Sequence, residues 1–382
     1  MKRVGWILVT VCLLLWTLPL NGQAVELQTA GKSAVLMDVA TGTVLYEQNV
    51  HEPLAPASVT KVMTMLLIME AIDSGKIGWD DTVTASEAAA AKGGSQIYLK
   101  VGEQMSVTDM VKSIAVSSAN DCACAMAEHI AGSEPAFVEM MNQRASELGM
   151  NDTHFVNCTG LDDGPDADTH LTTAHDIALM SCELLKHDEI KEYTTIWMDT
   201  VRNGQFGLSN TNKLVRFYDG TTGLKTGYTS AAGYCLSASA ERGGMELVAV
   251  VLHCKTSVDR FESAKALLNY GFSGYALVTP QPDGGVPSVP VVLGRQEAIT
   301  PVPERTEPLL LEKALASQVQ TAVTVDESVQ APVSAGQRLG TMTVTAGERL
   351  LAEIPLVAPE DVAARTFPDL WAEFLKHICL SA

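Results

Sequence analysis

A serine and a lysine stand three residues apart in Ser58-Val59-Thr60-Lys61, at the head of an apolar run without Gly or Pro until Gly75. That run predicts a buried helix entered at Pro56 or Ala57. Positions i and i+3 of a helix share a face, so the lysine amine comes within reach of the serine hydroxyl. A serine alone is a poor nucleophile. An amine whose pKa is lowered by burial or by a second cation can take its proton. A lone match of this kind reads more readily as an N-cap serine before a solvated lysine. Two later segments shift the balance: Ser118-Ala119-Asn120, a polar interruption between apolar helical stretches, and Lys225-Thr226-Gly227, at the start of an apolar strand.

An S-x-x-K, an S-x-N and a K-T-G in this order are the three elements of the penicillin-binding proteins and serine beta-lactamases. With Gly94-Ser95-Gln96-Ile97-Tyr98-Leu99-Lys100 and Gly223 to Tyr234, the chain resembles the serine D-alanyl-D-alanine carboxypeptidases, the low-molecular-mass penicillin-binding proteins. The resemblance implies Ser58 as the acylated nucleophile and Lys61 as general base. It implies Ser118 as proton relay to the leaving amine and Asn120 as the group that orients the substrate amide. By the same resemblance Lys225 would supply positive potential, and the Thr226 hydroxyl would bind the substrate's terminal carboxylate. Gly227 lets substrate backbone approach the strand edge. The implied oxyanion hole is the backbone N–H groups of Ser58 and Tyr228. The implied partners are peptidoglycan stem peptides ending in D-Ala-D-Ala and beta-lactams, with no metal and no cofactor. A DD-endopeptidase would use the same residues. A beta-lactamase needs a deacylating glutamate, for which only Glu147 has the local look, and it reads better as a solvated helix-end charge. A wall-binding module without catalysis is the alternative outside enzymes. Lys255 and Arg260 are weaker candidates for a carboxylate, and the scattered histidines read as structural or solvated.

The elements that must position these groups follow from the patterning. Ser33 to Leu45 reads as two strands about a turn at Thr41-Gly42, and residues 86–150 are largely helical, with a stop at Gly149. Ala174 to Lys186 is another helix. Leu224 to Ala240 and Met245 to His253 read as strands joined at 241–244, and Phe261 to Tyr270 closes the unit as a helix. Strands, then helices, then strands predict an α+β domain with an antiparallel sheet flanked by helices, of the beta-lactamase/transpeptidase type if the resemblance holds. The expected limits are a catalytic domain at 25–278, a linker at 279–285 and a beta-rich domain at 286–363. The last is a beta-sandwich in the family, and its one helical stretch is expected near Leu309 to Gln318.

Residues 1–24 have the layout of a secretory signal, with Lys2 and Arg3 before an apolar run and small residues ahead of a cut after Ala24. Losing those two cations takes the net charge from −19 to −21, which disfavours nucleic acid and anionic lipid as charge-driven partners. The seven remaining cysteines are irregularly spaced and read as buried thiols rather than as disulfides or ligands. Phe367, Leu370, Trp371, Phe374, Leu375 and Ile378 recur at helical spacing. Residues 366–380 are therefore expected to form an amphipathic helix lying on the outer face of the cytoplasmic membrane, too short and polar to span it.

Overall fold

The computed structural model describes residues 27–164 and 166–380; the expected signal segment lies outside them. Strands β1 (Ser33–Asp38) and β2 (Val44–Gln48) open the first domain. Helix α1 (Lys61–Asp73) follows, then a short hairpin of β3 (Thr82–Thr84) and β4 (Gln104–Ser106), which sequence patterning did not reveal. Helices α2 (Val107–Ser117), α3 (Asn120–Ala131), α4 (Glu134–Glu147) and α5 (Ala174–Leu184) come next. A second unforeseen hairpin, β5 (Met198–Val201) and β6 (Phe206–Ser209), precedes the last three strands of the main sheet. These are β7 (Thr221–Thr229), β8 (Gly233–Arg242) and β9 (Met245–Cys254), and α6 (Ser257–Gly274) closes the domain.

The main sheet is antiparallel with the order β2-β1-β9-β8-β7, so the first strands of the domain pair with its last. Its two faces divide the core by the two-residue period of a strand. Val35, Met37, Val248 and Val250 pack with α1 and α5, while Ala34, Leu36, Leu247 and Ala249 pack under α6. Both faces are covered, which is why β1 is buried at all six positions, with an unbroken apolar run from Ala34 to Met37. Helix α1 is buried from Lys61 through Met69, a core helix apolar on every side.

Three local expectations need correction. Ser58 does not sit on α1 itself but on a 3-10 turn, Ala57–Thr60, in front of it. Ala57 has φ 49°, a conformation no continuous helix accommodates. The stretch from Leu224 to Ala240 is two strands that reverse at 230–232, where Gly233 takes φ 64°. The closing helix starts at Ser257 rather than Phe261, because Thr256 and Asp259 form a reciprocal capping box.

Strand β10 (Tyr275–Val278) leaves α6 and pairs with Leu309–Glu312, so only Lys313–Ala316 of the expected Leu309 to Gln318 helix is helical. That pairing joins the end of the catalytic unit, as delimited at 278, to the beta-rich segment. The second domain holds a four-stranded antiparallel sheet ordered 302–303, 349–357, 338–346, 319–325 and smaller strands around Val289–Val292. Its apolar clusters centre on Val289, Leu339 and Val362, and on Met342, Val344 and Leu356. Helix α7 (Phe367–Leu380) ends the described chain.

Candidate active site

Two close approaches hold the Ser58 turn. A Cβ at Gly227 of β7 would lie 2.6 Å from the Pro56 carbonyl oxygen and 3.1 Å from the Ser58 nitrogen. A Cβ at Gly160, where φ is +78°, would lie 1.9 Å from the Ala57 carbonyl oxygen. Larger residues at either position would push the Ser58 turn out of place. The Ala57 carbonyl is fixed from a third side by Thr60, whose Oγ1 donates to it at 2.8 Å. Behind Thr60 stands His170, with Nε2 at 2.8 Å from Thr60 Oγ1, while its Nδ1 accepts from the Val156 N–H at 3.1 Å. Since Nδ1 accepts, Nε2 carries the proton and donates to Thr60. The histidine is thus a structural brace, as its sequence context suggests.

Burial lowers the His170 pKa from 6.5 to about 4. Its folded-state pKa is depressed, so its contribution to stability is intact above pH 6.5 and is lost as pH falls through about 4. We expect acid to destabilise the domain by up to about 3 kcal/mol in that window through this residue alone. Urea unfolding at pH 7 and pH 4 should show a smaller acid loss in His170→Gln than in the parent; equal losses would show that His170 titrates normally.

Lys61 is fully buried, with Nζ 3.0 Å from Ser58 Oγ and 2.7 Å from the Thr159 carbonyl oxygen. Burial pushes its pKa down from 10.5 to about 7, against a smaller opposing pull from Cys158 and Asp121. The apolar wall, rather than Lys225, is therefore the main cause. A substantial neutral fraction exists near pH 7, and a neutral amine at this distance can accept the Ser58 proton. Lys225 is buried as well, and its Nζ donates to the Thr226 carbonyl at 2.8 Å. Its pKa lies well below the ordinary lysine value, first through burial and then through the charges of Lys61 and Arg260.

Ser118 ends α2 with φ 62°, and Asn120 opens α3. Neither is the N-cap: that position is Ala119, without a side-chain cap. The Asn120 backbone N–H donates to the Ser95 carbonyl, and its Nδ2 donates to the Gly93 carbonyl, both at 2.7 Å. Ser118 Oγ and Asn120 Oδ1 are buried with no hydrogen-bond partner among the described residues. Folded proteins rarely leave such groups unpaired outside functional sites.

The third motif lies on β7, the edge of the sheet, which is paired to β8 on one side only. Thr226 Oγ1 donates to Thr211 Oγ1 at 2.7 Å. The Gly227 carbonyl accepts from Arg260 Nη1 at 2.9 Å. In a trans peptide the C=O and the next N–H point in opposite directions, so the Tyr228 N–H faces away from Arg260. Arg260 Nη1 also donates to the Cys235 carbonyl. Arg260 thus braces β7 from beneath through Nη1, while its Nε is buried without a hydrogen-bond partner among the described residues. Lys255 is exposed at the end of β9.

Residues 21–256 match the family model for D-alanyl-D-alanine carboxypeptidase, and residues 275–364 match that for the C-terminal domain of penicillin-binding protein 5. The carboxypeptidase DacF of Bacillus subtilis strain 168 is 43 % identical over 347 residues, which are 90 % of this chain and 88 % of the relative. This chain belongs to the D-alanyl-D-alanine carboxypeptidase family. The carboxypeptidase also shares 31 % identity over 363 residues with DacA of Escherichia coli K12, covering 91 % and 88 % of the two chains. Its fold resembles penicillin-binding protein 5 of Haemophilus influenzae, with a TM-score of 0.72 at 29 % identity, covering 88 % of this chain and 98 % of the other. It also resembles a penicillin-binding protein of Listeria monocytogenes in an ampicillin-bound form, with a TM-score of 0.59 at 33 % identity over 65 % of this chain and 99 % of that one. The fold is thus α+β, a catalytic domain of this family followed by its beta-sandwich.

Several groups of the candidate site escaped the sequence reading. Thr211 carries no motif, and Thr159 acts through a backbone carbonyl that any residue would supply. Asp121 stands next to Asn120 and takes the N–H groups of Ile97 and Leu99, a role visible only once the segment is folded. Glu147, at the end of α4, is bonded to Gln143 and Arg144, as a solvated helix-end charge would be. Among the described residues, Cys122, Cys124, Cys158, Cys182, Cys235 and Cys254 are buried and free, as expected of buried thiols.

Proposed function

We propose that the serine-type D-Ala-D-Ala carboxypeptidase reaction runs on Ser58. Neutral Lys61 takes the hydroxyl proton as Ser58 Oγ attacks the carbonyl of the penultimate D-alanine. The oxyanion is received by the N–H groups of Ser58 and Tyr228. Ser118 passes a proton to the departing D-alanine amine, and water later releases the shortened stem peptide from its ester on Ser58. Asn120 holds the substrate amide, Thr226 receives the terminal carboxylate, and Gly227 leaves room for substrate backbone along the open edge of β7. A carboxylate arriving at Thr226 raises the proton affinity of Lys225, which then completes the clamp. Beta-lactams enter the same path and stop at the ester. The observation that carries this reading is the fully buried Lys61 amine at 3.0 Å from Ser58 Oγ. Mass analysis of products from a D-Ala-D-Ala stem peptide and from its cross-linked dimer tests it: loss of one alanine supports a carboxypeptidase, whereas cleavage of the dimer alone supports an endopeptidase.

The carboxylate clamp has its own test. Thr226→Val is expected to lower kcat/KM for a peptide with a free terminal carboxylate by roughly ten- to a hundredfold, the worth of one hydrogen bond to a charged group. The same peptide amidated should lose far less. Equal losses would leave the clamp unsupported.

The reading extends to α7 as a membrane-surface anchor on an exported enzyme, with the beta-sandwich as spacer. Phe367, Leu370, Trp371 and Leu375 are exposed, and the rings of Phe367 and Trp371 stack with centroids 6.2 Å apart. Among the described residues no helix is long and apolar enough to cross a membrane, so an interfacial position suits this one. Asp369 pairs with Arg295 and with the Thr366 hydroxyl, which fixes the start of the helix to the second domain. In liposome flotation the full chain should rise with the vesicles and a chain ending at Arg365 should not; a full chain that stays at the bottom removes the anchor.

A further inference from the structure

Tyr98 is a bulky side chain in a costly place. Its φ is 62°, in the left-handed region, and it is 66 % exposed between two buried neighbours, Ile97 and Leu99. The backbone around it is held from two sides. The buried carboxylate of Asp121 accepts the N–H of Ile97 at 3.1 Å and that of Leu99 at 3.0 Å. The guanidinium of Arg202 donates to the carbonyls of Ile97 at 2.7 Å and Tyr98 at 3.3 Å, and Glu103 holds that guanidinium at 2.6 Å. Four backbone groups flanking one exposed ring are thereby fixed by buried or paired charges. Strain of this kind persists only where the surroundings over-determine it, and it concentrates at binding sites.

The clamp is continuous with the reacting groups. The segment that carries Tyr98 also holds Asn120, through the Gly93 and Ser95 carbonyls. The hairpin that carries Arg202 leads through Ser209, which donates to Ser117 Oγ, to Thr211, the partner of Thr226. On that hairpin Phe206 faces Tyr98 edge-on, with ring centroids 6.4 Å apart, and lies beneath the Arg202 guanidinium. Tyr98, Val101, Arg202, Gln205 and Phe206 border a shallow depression of about 730 Å³. An exposed aromatic pair on a rigid rim is a surface for packing an aliphatic or peptide group.

We propose that the Tyr98 ring, backed by Phe206, is a specificity-determining contact for the part of the stem peptide upstream of the scissile D-Ala-D-Ala bond. The leaving D-alanine is the end of the substrate, and its carboxylate is placed at Thr226. Only the acyl half is long enough to reach the rim beyond Asn120. The ring packs against the upstream residues and holds the reacting amide in register, while a substrate with no upstream residues gains nothing from it. This rests on the assignment of Ser58, Asn120 and Thr226 made above.

The experiment compares the parent enzyme with Tyr98→Ala and Tyr98→Phe on two substrates, a stem pentapeptide ending in D-Ala-D-Ala and N-acetyl-D-Ala-D-Ala. For Tyr98→Ala, kcat/KM on the pentapeptide should fall about tenfold or more, and on the short substrate less than about twofold. Tyr98→Phe, which keeps the ring, should stay within about twofold of the parent on both. The proposal is overturned if the two losses in Tyr98→Ala differ by less than about threefold, the sign of a merely structural effect or of none. It is overturned equally if Phe behaves as Ala, since the hydroxyl would then make the contact. Ser58→Ala run in parallel separates the two levels: turnover retained there undoes the site assignment, whatever Tyr98 does.

Discussion

Ser58→Ala is expected to abolish peptidase turnover, with a loss of at least about 10⁴-fold, because it removes the only attacking atom in the proposed path. The change leaves the site standing. Lys61 keeps its hydrogen bond to the Thr159 carbonyl, and the Ala57 carbonyl keeps its bond from Thr60, so the turn has little reason to move. Intact-mass measurement after incubation with a beta-lactam should show no adduct, and the midpoint of thermal unfolding should shift little. An adduct on a different serine would transfer the nucleophile's role to that residue.

Lys61→Arg is expected to be nearly as damaging as Lys61→Ala, each lowering the acylation rate by roughly 10²- to 10⁴-fold. Arginine keeps the positive charge but does not give up its proton in a protein, so it offers no base. In the parent enzyme burial holds the Lys61 pKa near 7. The neutral form is the active one, so acylation should rise about tenfold per pH unit below 7 and level off above it. The profile is read from beta-lactam acylation rates between pH 5 and 9. A rise centred near the ordinary lysine value, or an active Lys61→Arg enzyme, would move the base to another group.

Burial also separates what each lysine does. A charged Lys61 and a charged Lys225 repel in a site that water does not screen, and both are desolvated. In the proposed clamp a substrate carboxylate beside Lys225 would relieve part of that cost. Substrate binding and the protonation of the site are consequently linked, and peptides with a free carboxylate should bind more weakly once pH rises far enough to discharge Lys225.

Much of this enzyme is written in local patterns. The i, i+3 spacing of Ser58 and Lys61 needs only one turn of helical backbone to bring amine and hydroxyl together, and a 3-10 turn running into α1 supplies it as well as a continuous helix would. The apolar runs of β8 and β9 and the Val62–Met69 stretch of α1 announce buried elements, whereas the same patterning places the start of α6 at Phe261 and the capping box of Thr256 and Asp259 sets it at Ser257. Three short motifs of fixed residue type point to the family, because each depends on side-chain chemistry that few other residues share, while an endopeptidase would use the same residues.

What the tertiary structure alone decided depends on backbone groups and on distance along the chain. The pairing of β1 with β9 joins residues more than 200 apart, for example Ser33 with Leu252, and it is what makes β7 an open edge. The pKa of Lys61 follows from packing on all sides, which no spacing reveals. Its second hydrogen bond goes to the Thr159 carbonyl, an atom with no signature in the residue type. Ala57 and Tyr98 hold left-handed conformations without being glycine, so nothing local announces them. Their neighbours impose those shapes: the Gly160 and Gly227 approaches on one, the Asp121 and Arg202 clamp on the other. Conformations held by long-range contacts exist only once the contacts do, and they become visible only in the folded chain.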